Sequence, residues 1–299
     1  MKKEKFILES SILMIGSLIG AASVFFMQLT LARQLTTFDF GVLSSSIAIV
    51  TLFASLAGFG IPGFWLEIFS KEGQNGVRWI YSSFLLSIFG ALAAFLMLNL
   101  WAMYGNHGIL MASTLSILSF YMFGQVVVEL VNSKLQLEGR YTVLAMWQFL
   151  PQLARFLFIL ILSYTAVFTF SIEMVVYVYL FTTLVTVIAG FTMLTRMYYG
   201  YFSLEKHINL KQSEDRIPTV IQVASRSWPF GLLSFFFLIY FQSDIIMLMY
   251  LSGGDFAGIY SAACLLLTVV YLLPGVVYQK YLLPKFHYWA NHDQKYFYT

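Results

Sequence analysis

LTTFDFGVLSSS, residues 35–46, returns in altered form as LSGGDFAGIYSAA, residues 251–263. Each copy follows one long apolar run and opens another, with Asp-Phe placed just ahead of a Gly. Asp39-Phe40 and Asp255-Phe256 lie 216 residues apart. The likeness extends to a Pro-Gly pair in the run that follows each, Pro62-Gly63 and Pro274-Gly275. Asp, Phe and Gly are also what a loop-to-helix junction needs by itself, since Asp caps the helix and Gly loosens the turn. A repeat explains more, because it accounts for the runs on both sides as well.

Those runs decide the class. The chain of 299 residues is 60% hydrophobic, 18% aromatic and 10% charged, with a mean hydropathy of +0.79. A water-soluble domain of this length needs roughly a quarter of its residues charged to cover its outside. Most of this outside must face lipid. Crossing the hydrocarbon takes about 20 apolar helical residues, and that ruler predicts eight spans, near residues 10–32, 41–68, 79–103, 109–131, 142–164, 170–194, 228–251 and 256–279. Continuous apolar runs predict helices rather than barrel strands, which alternate. The fold class predicted is all-α and polytopic. The start, MKKEKFILESSILMIGSLIG, has the basic head of a signal peptide, but its apolar run is longer and many more follow, so it reads as an uncleaved first span.

Lys and Arg fall on one side of these spans. Fourteen of the seventeen precede the first span, occupy every second connection or follow the last span, and Arg33 alone lies in the other set of connections. The positive-inside rule then predicts both termini in the cytoplasm, and hence a multi-pass protein of a cytoplasmic membrane. The opposite connections are very short, YGNHG (104–108) and SGG (252–254) among them, so no catalytic domain stands there. The longest polar segment, YGYFSLEKHINLKQSEDRIP (199–218), is on the basic side. The predicted organisation is therefore a six-helix lobe (1–198), a hinge (199–217) and the first two helices of a second lobe (218–299). Six spans per unit make this a parallel repeat. A complete second unit needs four more spans, so the sequence reads as truncated.

ARQLTTFDFGVLSSS, LAGFGIPGFWLEIFSKEGQ, YFQSDIIMLMYLSGGDFAGIYSAA and LLPGVVYQKYLLP together resemble the polysaccharide-transporter branch of the multidrug/oligosaccharidyl-lipid/polysaccharide exporter superfamily, and in it the Wzx-type O-antigen flippases. The resemblance implies two six-helix lobes and alternating access. It implies a bacterial inner-membrane protein carrying an undecaprenyl-pyrophosphate-linked oligosaccharide between leaflets, amid membrane lipids and other polysaccharide-assembly proteins. Two other readings are a drug/cation antiporter of the same superfamily and an envelope-assembly enzyme such as an oligosaccharide polymerase. The first more naturally carries a carboxylate deep in its first span, and residues 10–32 contain none. The second needs a large loop or an acidic cluster on the loop-poor side.

Charges inside the spans are the candidate binding residues, because an ionisable group deep in lipid costs at least about 2.5 to 3.5 kcal/mol unless it meets water or a partner. Arg155, in QFLPQLARFLFILIL, is about fourteen residues into the fifth span and out of reach of either headgroup layer. Its guanidinium fork suits the lipid pyrophosphate, and an internal ion pair is the other reading. Arg226, in ASRSWPFGLLSF, precedes a Ser-Trp-Pro that reads as a helix start with Pro229 in the first turn. It either snorkels or recruits the pyrophosphate. Asp244, in YFQSDIIML, implies a wet cavity, a partner for Arg155, a proton-coupling site or structural pairing. Arg33 and Asp39 flank one turn and are placed to pair. Glu9, Glu67, Glu129 and Glu173 lie near span ends, where capping or snorkelling accounts for them.

Four scattered histidines, one cysteine (Cys264) and no Gly-rich phosphate loop predict no metal, no disulfide, no nucleotide or other cofactor, and no catalytic residue. A net charge of +3 gives no sign of a nucleic-acid partner.

Overall fold

A computed structural model describes residues 2–165, 170–199, 204 and 217–277, with side chains from 11 onward and through 268, and at 270. All eight expected runs are helical. In chain order the helices are α1 (Lys2–Gln34), α2 (Thr37–Ala57), α3 (Ile61–Glu72), α4 (Ile80–Tyr104), α5 (Ile109–Leu137), α6 (Tyr141–Tyr164), α7 (Ile172–Tyr198), α8 (Val220–Leu251) and α9 (Gly254–Val277), with a 3-10 turn at Gly73–Trp79. Among the described residues six helical stretches are long and apolar enough to cross a membrane. One of these, Thr37–Tyr104, holds two crossings. Phe53 stacks on Trp101, Gly90 lies against Ala57, and Trp65 meets Phe84, so α4 runs back along α2 and α3. Gly254–Thr268 is the shorter apolar stretch in α9.

The span expected at 41–68 is not one helix. It breaks at Phe59 (φ 47°) and Gly60 (φ 70°), both in the left-handed region. A Cβ on Gly60 would stand 2.2 Å from Gly231 N, so the break places the α2–α3 junction against the backbone of α8.

The other correction concerns α8. It begins at Val220, eight residues before the expected 228, because Thr219 and Gln222 form a reciprocal capping box. Pro229 therefore lies inside α8 and not in its first turn, and Arg226 is a helical residue rather than one preceding a helix.

Serine and threonine are tolerated in these apolar helices because their hydroxyls bond back to the preceding turn. Ser45 donates to Gly41 O at 2.6 Å, Thr51 to Ile47 O at 2.7 Å and Thr186 to Thr182 O at 2.7 Å. Large apolar side chains stand exposed along α4, α7 and α8, such as Phe89, Met97, Ile188, Phe191, Leu233 and Phe236. A lipid-facing surface looks like this.

The two ends of the bundle follow from cross-helix contacts. Arg226 lies over the Trp79 ring at 4.6 Å and Tyr81 meets Tyr198, so Trp79, Tyr198 and Arg226 share the basic end. Tyr250 bonds His107 at 3.1 Å and stacks on Trp101, at the opposite end.

The two copies of the repeated phrase meet there. Thr37 Oγ1 donates to Asp255 Oδ1 at 2.7 Å. A Cβ on Gly41 would lie 1.9 Å from Gly254 O, and one on Gly258 would lie 2.0 Å from Thr37 O. The first turns of α2 and α9 thus touch backbone to backbone, each through a residue type that alone permits it.

Most of the hinge expected at 199–217, and the tail from 278, lie outside the described residues.

Candidate functional site

A cavity of about 690 Å³ lies between α2, α3, α5 and α8. Gly58, Gly60, Pro62 and Gly63 form one wall where the α2–α3 break keeps side chains away, and Phe230, Leu233 and Phe237 of α8 form the facing wall. Polar groups come from Thr51, Ser55, Gln125, Glu129 and Ser234. Gln125 and Glu129 are four residues apart on α5 and so share a face. Glu129 makes no ion pair among the described residues. A span-end position led the sequence reading to set Glu129 aside. The signal that could have found it was Gln125, Glu129, Asn132 and Ser133 at helical spacing, a polar stripe on an otherwise apolar helix.

The three residues expected to bind substrate do not converge, and none of them lines this cavity. Arg155 is buried among α5, α6 and α7, 5% exposed. Its Nε donates to Thr182 Oγ1 at 3.2 Å, and its Nη1 donates to Tyr121 OH at 3.2 Å and to Gln152 Oε1 at 3.4 Å. Its guanidinium carbon sits 4.9 Å from the Tyr121 ring centroid and 4.8 Å from that of Tyr179, an aromatic sandwich for a cation. Among the described residues it makes no ion pair, with Asp244 or with any other acid. A separate hollow of about 30 Å³ adjoins it. Gln125, whose amide donates to Tyr121 OH, stands between this hollow and the large cavity and lines both.

Arg226 is exposed at the basic end. Beneath it Trp79 Nε1 donates to Glu72 Oε2 at 3.0 Å, and Arg78 pairs with the same carboxylate oxygen at 3.0 Å. Asp244, on the half of α8 toward the opposite end, accepts from Tyr260 OH of α9 at 2.8 Å. Arg33 and Asp39 make no ion pair with each other, since Asp39 Oδ2 accepts from Thr36 Oγ1 at 2.9 Å. Among the described residues no cluster of three or more His, Cys, Asp or Glu could hold a metal.

Long apolar helices, a lipid-facing surface and a cavity between two groups of helices define a polytopic membrane protein of all-α fold. The solved structure of the MATE multidrug transporter DinF-BH shares this fold. It superposes with a TM-score of 0.61 over 91% of the chain at 16% sequence identity, and the chain spans 62% of that protein's length. A family model described as polysaccharide biosynthesis protein matches residues 8–287, and the chain belongs to that family. No curated protein matches it.

Proposed function

We propose that this protein is a flippase that moves an undecaprenyl-pyrophosphate-linked oligosaccharide, an O-antigen unit or another surface polysaccharide repeat, across the bacterial cytoplasmic membrane by alternating access. The observation that carries the proposal is the 690 Å³ cavity, in a member of a polysaccharide biosynthesis family. Its walls are apolar while Gln125, Glu129, Thr51 and Ser234 supply a polar strip. A sugar's hydroxyls find acceptors and donors on that strip, and the prenyl tail remains in lipid beside exposed α8.

In this proposal the basic end is cytoplasmic, and Arg226 first meets the diphosphate there. A guanidinium held over the Trp79 ring keeps its donors free for two phosphate oxygens. Asp244, held by Tyr260, is a polar station further along α8 toward the exit. The lobes 1–198 and 218–299, joined through the hinge at 199–217, rock about the α2–α9 and α3–α8 contacts.

The test is a translocation assay in proteoliposomes carrying a lipid-diphosphate-linked oligosaccharide, read by loss of sugar from one leaflet to an impermeant glycosidase. Protein-dependent translocation, reduced by Arg226→Ala at unchanged protein level, supports the proposal. Translocation no faster than in protein-free vesicles, with cationic dyes moved instead, favours the antiporter and overturns it.

A further inference from the structure

The proposed transport route does not use Arg155, yet this guanidinium is only 5% exposed among three apolar helices. It stands about fourteen residues into α6, about 21 Å from the helix start. Neither headgroup layer is within reach, and among the described residues no carboxylate pairs with it. A charge so placed needs something to balance it. The hollow beside it is lined by several groups with protons to give, and by the amides of Gln125 and Gln148, which can also accept. Tyr121 OH already accepts from Arg155 and from Gln125, which leaves its own proton for a further acceptor. Gln152 gives its carbonyl oxygen to Arg155, which leaves its NH2. Thr183, 3% exposed, lines the same hollow, and its hydroxyl has no hydrogen-bond partner. This buried hydroxyl is free to bond whatever occupies the hollow. Water would fill the space but leave the guanidinium charge unbalanced. An anion brings only acceptance.

We propose that the hollow enclosed by Arg155, Tyr121, Gln152 and Thr183 is a binding site for a small monovalent anion of the halide class, held inside the first lobe and separate from the cargo cavity. Size sets the class. A volume of about 30 Å³ matches one water or one chloride-sized ion and leaves no room for a diphosphate. This distinguishes the site from the pyrophosphate role that the sequence alone suggests for Arg155. The ion neutralises the guanidinium and ties α5, α6 and α7 together through one centre. Gln125, at the boundary with the large cavity, is the side chain past which the ion exchanges. The inference does not rest on the flippase reading, since it concerns binding and not transport.

The experiment uses the whole chain, purified in detergent, with chloride replaced by gluconate at constant ionic strength and the thermal unfolding midpoint followed. Chloride and bromide should raise the midpoint with the logarithm of their concentration, as a ligand of the native state does. Thr183→Val, which keeps the shape and removes the hydroxyl, should move the onset to roughly tenfold higher chloride. Arg155→Gln should abolish the halide effect. Identical midpoints in chloride and gluconate would mean that the hollow holds water, and the inference falls. A halide effect unchanged in Thr183→Val places the ion elsewhere and overturns it equally, with no need for Arg155→Gln to fold. Inorganic phosphate acting as strongly as chloride, through the same residues, would refute the size argument.

Discussion

At the scale of single residues, depth was legible and direction was not. Arg155 could be placed in mid-membrane by counting along the fifth span, and it is buried. What surrounds it comes from Tyr121 on α5 and from Tyr179 and Thr182 on α7, and no spacing in the sequence brings those together. Glu129 shows the reverse case. Its place near a helix end suggested nothing, and the α2–α3 break opens the cavity beside it. Under the flippase proposal, Glu129→Ala should lower oligosaccharide translocation by about tenfold at constant protein level, the loss expected for hydrogen bonds to a charged acceptor. A second test needs no cargo. Lys134 Nζ and Glu138 Oε1 pair at 2.6 Å with both side chains buried. Glu138→Gln leaves the ammonium without its charge partner and should cost about 3 kcal/mol in equilibrium unfolding.

At the scale of elements, the sequence located every apolar run and missed what interrupts them. Gly58, Phe59 and Gly60 sit within an unbroken hydrophobic stretch, so a hydropathy ruler passes over the break. The left-handed conformation at Gly60 exists because α8 comes within backbone distance, and that is tertiary information. Gly60→Ala puts a Cβ both in a strained conformation and into Gly231 N. It should destabilise the fold by about 1 to 3 kcal/mol, read as a fall in the unfolding midpoint. The start of α8 was misplaced for a different reason. Pro229 looked like a first-turn residue, while the capping box at Thr219 and Gln222 lay two turns upstream, just past the segment read as hinge. Thr219→Ala removes the side-chain acceptor for Gln222 N–H and should cost about 1 kcal/mol.

At the scale of the whole molecule, the sequence echo was the most informative signal, because two phrases 216 residues apart turn out to be neighbours. Repetition predicted that α2 and α9 would be alike. It gave no hint that they would touch, since similar elements of a repeat meet only if equivalent surfaces pack on each other. Thr37 and Asp255 offer a direct handle on the proposed lobe motion. In a Cys264→Ser background, Thr37→Cys with Asp255→Cys should form a disulfide under mild oxidation. Under the flippase proposal, translocation should then stop and return with reductant. Continued translocation by the cross-linked protein would show that cargo passes without parting these helices.

The contacts at Gly41, Gly60, Gly231 and Gly258 are all main chain against main chain. At these four points the surfaces meet without interlocking knobs, like polished plates. If the halves rock as proposed, bulk introduced there acts as a brake on the bearing.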